Sequence, residues 1–131
     1  MAEVFLDTGV LLGRVLGTLT GSEDIFDDNT LTRYTNEYCL KEAYRVLRDA
    51  YGFSDVQIGY ALEYIRTKCL ILPTPSKEEF KKIDITDRSD RPVVFSAYKY
   101  GLVLYTTDER TYRDSKRYVS VKMIGKIRKK T

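Results

Sequence analysis

Four acidic residues stand far apart in the chain, each at a place where an α/β fold would bring its side chain to one edge: Asp7, Glu42, Asp90 and Asp108. Asp7 ends the apolar run Val4-Phe5-Leu6, and Asp108 follows another, Leu102-Val103-Leu104-Tyr105. Glu42 lies in an early turn of a predicted helix, and Asp90 sits at the start of a second. In a parallel fold, strand ends and helix starts share one edge of the sheet. Carboxylates meeting there make an all-oxygen site for divalent cations. Mg2+ or Mn2+ suits such a site, and both keep several of their waters. A water acidified by the metal can attack phosphorus, so the pattern points to metal-assisted phosphodiester hydrolysis.

Each acid also has a plain structural role open to it. Asp is a favoured N-cap, so Asp7, Asp90 and Asp108 could each cap the helix that follows, with Asp87 competing for the helix at Arg91-Pro92. Glu42 lies beside Val46 and Cys39 at the margin of an apolar stripe, where a solvated Glu would more often take the opposite face. Together the acids say more than they do singly. Two like charges ~4 Å apart repel by about 4 kcal/mol at an effective dielectric near 20. Bringing four together requires protons, basic partners or cations.

The chain contains no histidine. That removes Ser-His and Cys-His nucleophile pairs, a histidine general base and histidine-zinc sites. Cys39 and Cys69 fall on or beside apolar helical stretches and read as small buried hydrophobes. The 131 residues suit one domain, spanning 1–131. No run of eighteen apolar residues exists to cross a membrane, and the first strand begins without a leader pattern, so a cytoplasmic location is expected. The net charge of +3 is unevenly placed. Residues 122–130 are basic, and Lys126, Arg128, Lys129 and Lys130 could hold phosphates. The acidic segment around Glu23, Asp24, Asp27 and Asp28 lacks the Asp/Asn-Gly spacing of a calcium loop.

The elements that must position the acids follow from periodicity and caps. Val4 to Leu6 predicts a strand, and Val10 to Leu16 a buried helix ended by Gly17. A polar loop is expected to about Asn29, then a short strand over Leu31 to Thr35. Asn36 caps a helix carrying Cys39, Ala43, Val46, Leu47 and Ala50 at helical spacing. Ser54 caps the next, with Ile58, Ala61, Leu62 and Ile65 as its stripe. Leu70 to Leu72 predicts a third strand. Ser76 and Glu79 form a capping box for a short helix through Lys82. Asp84 to Asp90 reads as a polar turn. Arg91-Pro92 opens a helix through Tyr100, ended by Gly101. Leu102 to Thr106 is the fourth strand, Glu109 to Lys116 a short helix or turn, Tyr118 to Lys122 a fifth strand, and the tail a helix. Alternating strands and helices imply a mainly parallel five-stranded sheet in a three-layer α/β/α sandwich.

At these residues the chain resembles the PIN-domain ribonuclease family, which includes the VapC-like toxins. Val4-Phe5-Leu6-Asp7-Thr8-Gly9-Val10-Leu11 is similar to its opening motif, a strand ending in Asp-Thr. Asn36 to Arg48 is similar to its glutamate helix. Asp90-Arg91-Pro92-Val93-Val94-Phe95-Ser96-Ala97 resembles its third acidic motif, and Leu102 to Asp108 its fourth, a strand closing in Thr-x-Asp. The resemblance implies a PIN-like α/β/α fold and a Mg2+- or Mn2+-dependent endoribonuclease, often the toxin of a toxin–antitoxin pair. It also implies RNA as substrate, a cognate antitoxin as partner, and compatibility with a homodimer. Asp7, Glu42, Asp90 and Asp108 carry over as catalytic metal-site acids, with Thr107 to orient a ligand or substrate oxygen. One position departs from the pattern: Gly9 stands where many members have Asn. The missing amide would weaken support of the site beside Thr8. Equally, Gly9 leaves space for a phosphate at the helix start.

Two functions of different class remain. The first is metal-dependent RNA hydrolysis, with Arg14, Arg91, Arg113 and the basic tail steering the phosphate backbone. The second is a non-catalytic PIN-like module that binds RNA or protein in RNA processing, which Gly9 favours and the full set of four acids opposes. A phosphotransfer receiver also places Asp at a strand end, but Asp7-Thr8-Gly9 has no second Asp two residues on.

Overall fold

The computed structural model describes residues 2–18, 22–85 and 87–125. The basic cluster with Lys126, Arg128, Lys129 and Lys130, and the helix predicted for the tail, lie outside the described residues. Five strands, β1 (Ala2–Leu6), β2 (Leu31–Asn36), β3 (Leu70–Leu72), β4 (Val103–Thr106) and β5 (Val121–Met123), form one sheet in the order β3-β2-β1-β4-β5. All four pairings are parallel. The helices are α1 (Thr8–Leu16), α2 (Ser22–Asp27), α3 (Glu37–Asp49), α4 (Asp55–Lys68), α5 (Lys77–Phe80), α6 (Arg91–Tyr100) and α7 (Glu109–Ser115).

The central strand shows why three layers are needed. Successive strand residues face opposite sides of a sheet. Val4, Phe5 and Leu6 are nonetheless all buried, so helices must cover both faces. The chain is therefore an α/β/α sandwich built on a parallel sheet. Among the described residues, no helix is long and apolar enough to cross a membrane.

Local chemistry places most boundaries where the sequence puts them. The capping boxes Ser54–Gln57 and Ser76–Glu79 are both formed. Gly17 and Gly101 end α1 and α6 in the left-handed conformation that side chains avoid. Both cysteines are buried and unpaired.

Three expectations change. The segment expected as a polar loop contains α2, because Phe26 is fully buried and Arg33 Nη1 donates to the carbonyls of Ile25 (3.1 Å) and Asp28 (2.9 Å). Part of the polar turn after Asp84 is a single 3-10 turn, Arg88–Asp90, capped by Asp87. The fifth strand starts three residues later than predicted. Tyr118 and Val119 instead donate their amides to the Ser115 carbonyl and close α7.

Asn36 ties α3 and α6 together. Its Oδ1 accepts from the Cys39 amide at 2.9 Å and so caps α3. Its Nδ2 donates to Ser96 Oγ at 2.9 Å and the Pro92 carbonyl at 3.2 Å, both on α6. Asn36 is fully buried. Replacement by Ala removes a cap and strands buried polar partners, at about 1 kcal/mol and ~1–3 kcal/mol respectively. Asn36→Ala is therefore expected to lower stability by roughly 2–4 kcal/mol in urea melts, whereas Ser54→Ala, at an exposed cap, costs only about 1 kcal/mol.

Candidate active site

Parallel pairing of β1 with β4 sets Leu6 opposite Tyr105, and the Asp7 amide continues the ladder to the Tyr105 carbonyl at 3.2 Å. Asp7 and Thr106 thus emerge side by side at the carboxyl ends of neighbouring strands. The Asp7 carboxylate is held from both sides. Its Oδ1 accepts from the Val10 amide at 3.2 Å, and Thr106 Oγ1 donates to its Oδ2. Thr106 Oγ1 also accepts from the Asp108 amide at 3.1 Å, so one hydroxyl joins two of the predicted acids.

The second half of the site is built in the same way. Asp108 Oδ1 accepts from the amides of Arg110 (2.8 Å) and Thr111 (3.3 Å) and caps α7. Thr111 Oγ1 in turn donates to Asp90 Oδ2 at 2.9 Å. Asp90 is at the N-cap position of α6 but makes no capping bond. Its carboxylate points instead into a cleft of about 240 Å3 that is also lined by Asp7, Glu42, Asp108, Tyr38 and Thr111. The structure therefore brings all four predicted acids, from four separate elements, to one cleft. Thr8, Gly9 and Thr107 line it as well.

The capping roles of Asp7 and Asp108 are real and coexist with their position in the cleft. Thr106 and Thr111 are the contributors that sequence reasoning missed. Thr106 stands in the Thr-x-Asp pattern, which assigns it no role of its own, and Thr111 reads as helix surface that neither spacing nor composition marks. Arg14, expected to steer phosphate, donates from Nε to Tyr64 Oη at 3.0 Å and stacks 5.2 Å from that ring.

Gly9 has an ordinary backbone conformation, so its value is space. A Cβ there would collide with Thr107 Oγ1 and sit 3.5 Å from Asp7 Oδ1. The room that Gly9 leaves at the start of α1 is thus occupied by the Thr107 hydroxyl.

The electrostatics follow from this crowding. Burial raises the Asp7 carboxyl to about 6, with repulsion from Asp90 adding to it against the Thr106 and Val10 hydrogen bonds. Asp90 is also raised to about 6, first by burial and then by repulsion from Asp87, Asp108 and Asp114, against the Thr111 hydrogen bond. Tyr38 is pushed up to about 12 by burial and by Glu42, so it faces the cleft as a phenol that can donate. Cys39 is pushed up to about 12 by burial and stays a thiol, which removes it as a nucleophile. Glu42 is joined to Arg45 at 2.8 Å, an exposed pair of the kind that contributes little.

The donor set suits a hard divalent cation: all ligands are oxygens, and the charge of two of the carboxyls is penalised by burial and neighbouring acids, a penalty a cation would relieve. Among the described residues, no group of three or more His, Cys, Asp or Glu lies close enough to hold a metal ion. Mg2+ does not require one, since it keeps several waters and uses one or two carboxylates together with substrate phosphate.

No family model matches this sequence, and no curated protein matches it either. The fold, in contrast, is shared with solved toxin structures. The chain is similar to VapBC2 from Rickettsia felis bound to a promoter DNA fragment, with a TM-score of 0.74, 12% identity, and coverage of 93% of this chain and 98% of that one. It is similar to DNA-bound VapBC from Salmonella typhimurium, with a TM-score of 0.70, 13% identity, and coverage of 94% and 98%. It is also similar to VapC20 from Mycobacterium tuberculosis, a toxin that cleaves the sarcin-ricin loop, with a TM-score of 0.65, 15% identity, and coverage of 84% and 93%. The architecture is the VapC-like PIN fold.

Two outcomes are expected at this site. A raised folded-state pKa means that the native protein binds a proton the unfolded chain has released. Asp7 therefore costs stability progressively as pH rises from about 4 to about 6, and the cost is constant above. The shift from 3.8 to about 6 corresponds to on the order of 3 kcal/mol. In chelator, Asp7→Asn should match the wild type near pH 4 and be no less stable at pH 7. A deficit above about 2 kcal/mol in denaturant melts would mark Asp7 as mainly a structural cap. The second outcome concerns Gly9→Ala, where overpacking of about 1–3 kcal/mol outweighs a helix-propensity gain of about 0.5–1 kcal/mol. Thr107→Ala should relieve that loss, giving a favourable coupling in a double-mutant cycle.

Proposed function

We propose that the protein is a Mg2+- or Mn2+-dependent endoribonuclease with Asp7, Glu42, Asp90 and Asp108 at its active site. The observation that carries this is the convergence of four acids from four elements on one small cleft, three of them linked through Thr106 and Thr111. A cation bound there would supply an acidified water and neutralise charge at the phosphate.

The protein's own residues have the remaining tasks. Asp7 and Asp90 would hold the metal, with Glu42 and Asp108 as further oxygen donors at its waters. Thr106 and the Val10 amide fix the Asp7 carboxylate through its two oxygens, and Thr111 holds one oxygen of Asp90. Tyr38 presents a protonated phenol to the substrate side. Thr8, Gly9 and Thr107 shape the wall beside Asp7. Beyond the described residues, Lys126 and Arg128 are proposed to contact RNA phosphates.

The shared fold supports a toxin of a toxin–antitoxin pair, since solved relatives of this shape are VapBC assemblies. On this reading an antitoxin is the protein partner, a homodimer is compatible, and the cytoplasm is where the substrate lies. One feature favours the second reading, a binding module without hydrolysis: Gly9 stands where many PIN-domain members have Asn. Both readings meet the same assay.

Single-stranded RNA incubated with Mn2+ or Mg2+ should be cleaved, and excess chelator should stop cleavage. Cleavage undiminished in chelator would sink the metal mechanism, and no cleavage of any RNA with either metal would favour the binding module. Thr111→Val, which frees Asp90 to rotate, should cost roughly 10–100-fold in turnover. Asp90→Asn should cost more. Equal activity of Thr111→Val and wild type would show that the hydroxyl has no positioning role.

A further inference from the structure

A larger cavity, about 650 Å3, adjoins the acidic cleft and has the opposite character. Four arginines line it, Arg88, Arg91, Arg113 and Arg117, against two aspartates, Asp84 and Asp114. It shares its walls with the acidic cleft. In the 3-10 turn and the start of α6, Ser89 and Asp90 face the cleft, while Arg88 and Arg91 face the cavity. On α7, Thr111 faces the cleft, while Arg113 and Asp114 face the cavity.

The arginines are not consumed by internal ion pairs. Among the described residues, neither Arg88 nor Arg113 has a salt bridge, and both are exposed. Arg117 donates from Nη2 to the Asp84 carbonyl and lies 3.8 Å from its carboxylate, with both side chains open to solvent. Arg91 is partly buried. It donates from Nη2 to the Ile85 carbonyl at 3.3 Å, and its Nε is buried without any acceptor. The Arg91 guanidinium therefore has donor capacity that no described residue answers.

We infer that this arginine-lined cavity is a phosphate subsite, holding an RNA backbone phosphate adjacent to the one presented to the acids. The inference rests on the ribonuclease reading for the identity of the polyanion. Its physical basis is local. Four carboxylates repel a phosphodiester, so affinity must come from nearby positive charge. Guanidinium groups bind phosphate with paired hydrogen bonds as well as charge. Two shared elements fix the spacing between the basic cavity and the acidic cleft, so the subsite would also set the register of the strand across the acids.

The test uses the full chain, chelator, and fluorescein-labelled oligouridylate, with anisotropy followed over a range of salt. Arg88→Gln/Arg113→Gln should weaken binding on the order of tenfold at 0.1 M salt and flatten the log–log salt slope by about 1.4, or 0.7 per lost contact. Arg48→Gln, at an exposed arginine paired with Asp49 on α3, should leave both unchanged. With Mn2+ added, the double variant should show a raised KM and a retained kcat. Equal losses in Arg48→Gln would reduce the effect to net charge and overturn the subsite. Wild-type affinity and slope in the double variant, with unchanged melting, would overturn it also, and would direct attention to an acidic protein segment as the occupant. Cleavage tests the other reading separately. RNA bound through the arginines but never cleaved would leave the subsite standing and remove the nuclease. RNA cleaved by a double variant of unchanged affinity would do the reverse.

Discussion

The site depends on one pairing, that of β1 beside β4 in parallel. Chain positions 7 and 106 become neighbours only through it, and Thr106 can then donate to Asp7 while accepting from the Asp108 amide. A register slip of one residue would turn Asp7 to the opposite face of the sheet. Both strands are buried around this point, with Leu6 and Leu104 fully inaccessible, so hydrophobic packing enforces the register that the polar site requires. The geometry of the acidic cleft is in that sense a by-product of where the core residues must go.

Burial also sets the chemistry. The same apolar walls that fix the register strip water from Asp7 and Asp90 and raise both to about 6. Fixed hydroxyl donors offset part of that penalty but cannot cancel it, because a neutral O–H supplies a dipole and not a charge. The remainder is a tension that protons relieve at low pH and a divalent cation relieves better at neutral pH. Arg45 answers Glu42 at the rim, where water screens the pair. Arg88, Arg91, Arg113 and Arg117 line the adjoining cavity with Asp84 and Asp114, so that space carries an excess of positive charge beside the acidic one.

Much of the fold was legible because local signals agreed with the global pattern. Ser54 and Ser76 cap helices, Gly17 and Gly101 end them, and apolar runs such as Val4-Phe5-Leu6 read as buried strands. Where the sequence misled, long-range contacts had overridden local character. Residues 22–27 are polar on average, yet the single buried ring of Phe26 and the carbonyls bound by Arg33 hold a helix there. Tyr118 and Val119 look like strand residues but close the end of α7, and the Tyr118 hydroxyl accepts from the Asp84 amide at 2.9 Å. Within the site the charged members were visible, as were Thr8 and Thr107, but the linking roles of Thr106 and Thr111 were not. An acid at a strand end is conspicuous, whereas Thr106 and Thr111 gain meaning only once two strands and a helix are placed side by side.

Gly9 shows the same limit in its sharpest form. From sequence it reads either as a missing amide or as an opening for phosphate. The structure places Thr107 Oγ1 in the space a Cβ would need, next to Asp7 Oδ1. Position 9 and position 107 therefore form one packing unit across the β1–β4 seam, and the residue allowed at either depends on the other. A glycine that looks like a loss when read alone becomes the condition for a buried hydroxyl at the wall of the acidic cleft. Since a Cβ at position 9 would also come within 3.5 Å of Asp7 Oδ1, the packing at this seam bears on the first carboxylate without involving the other three acids.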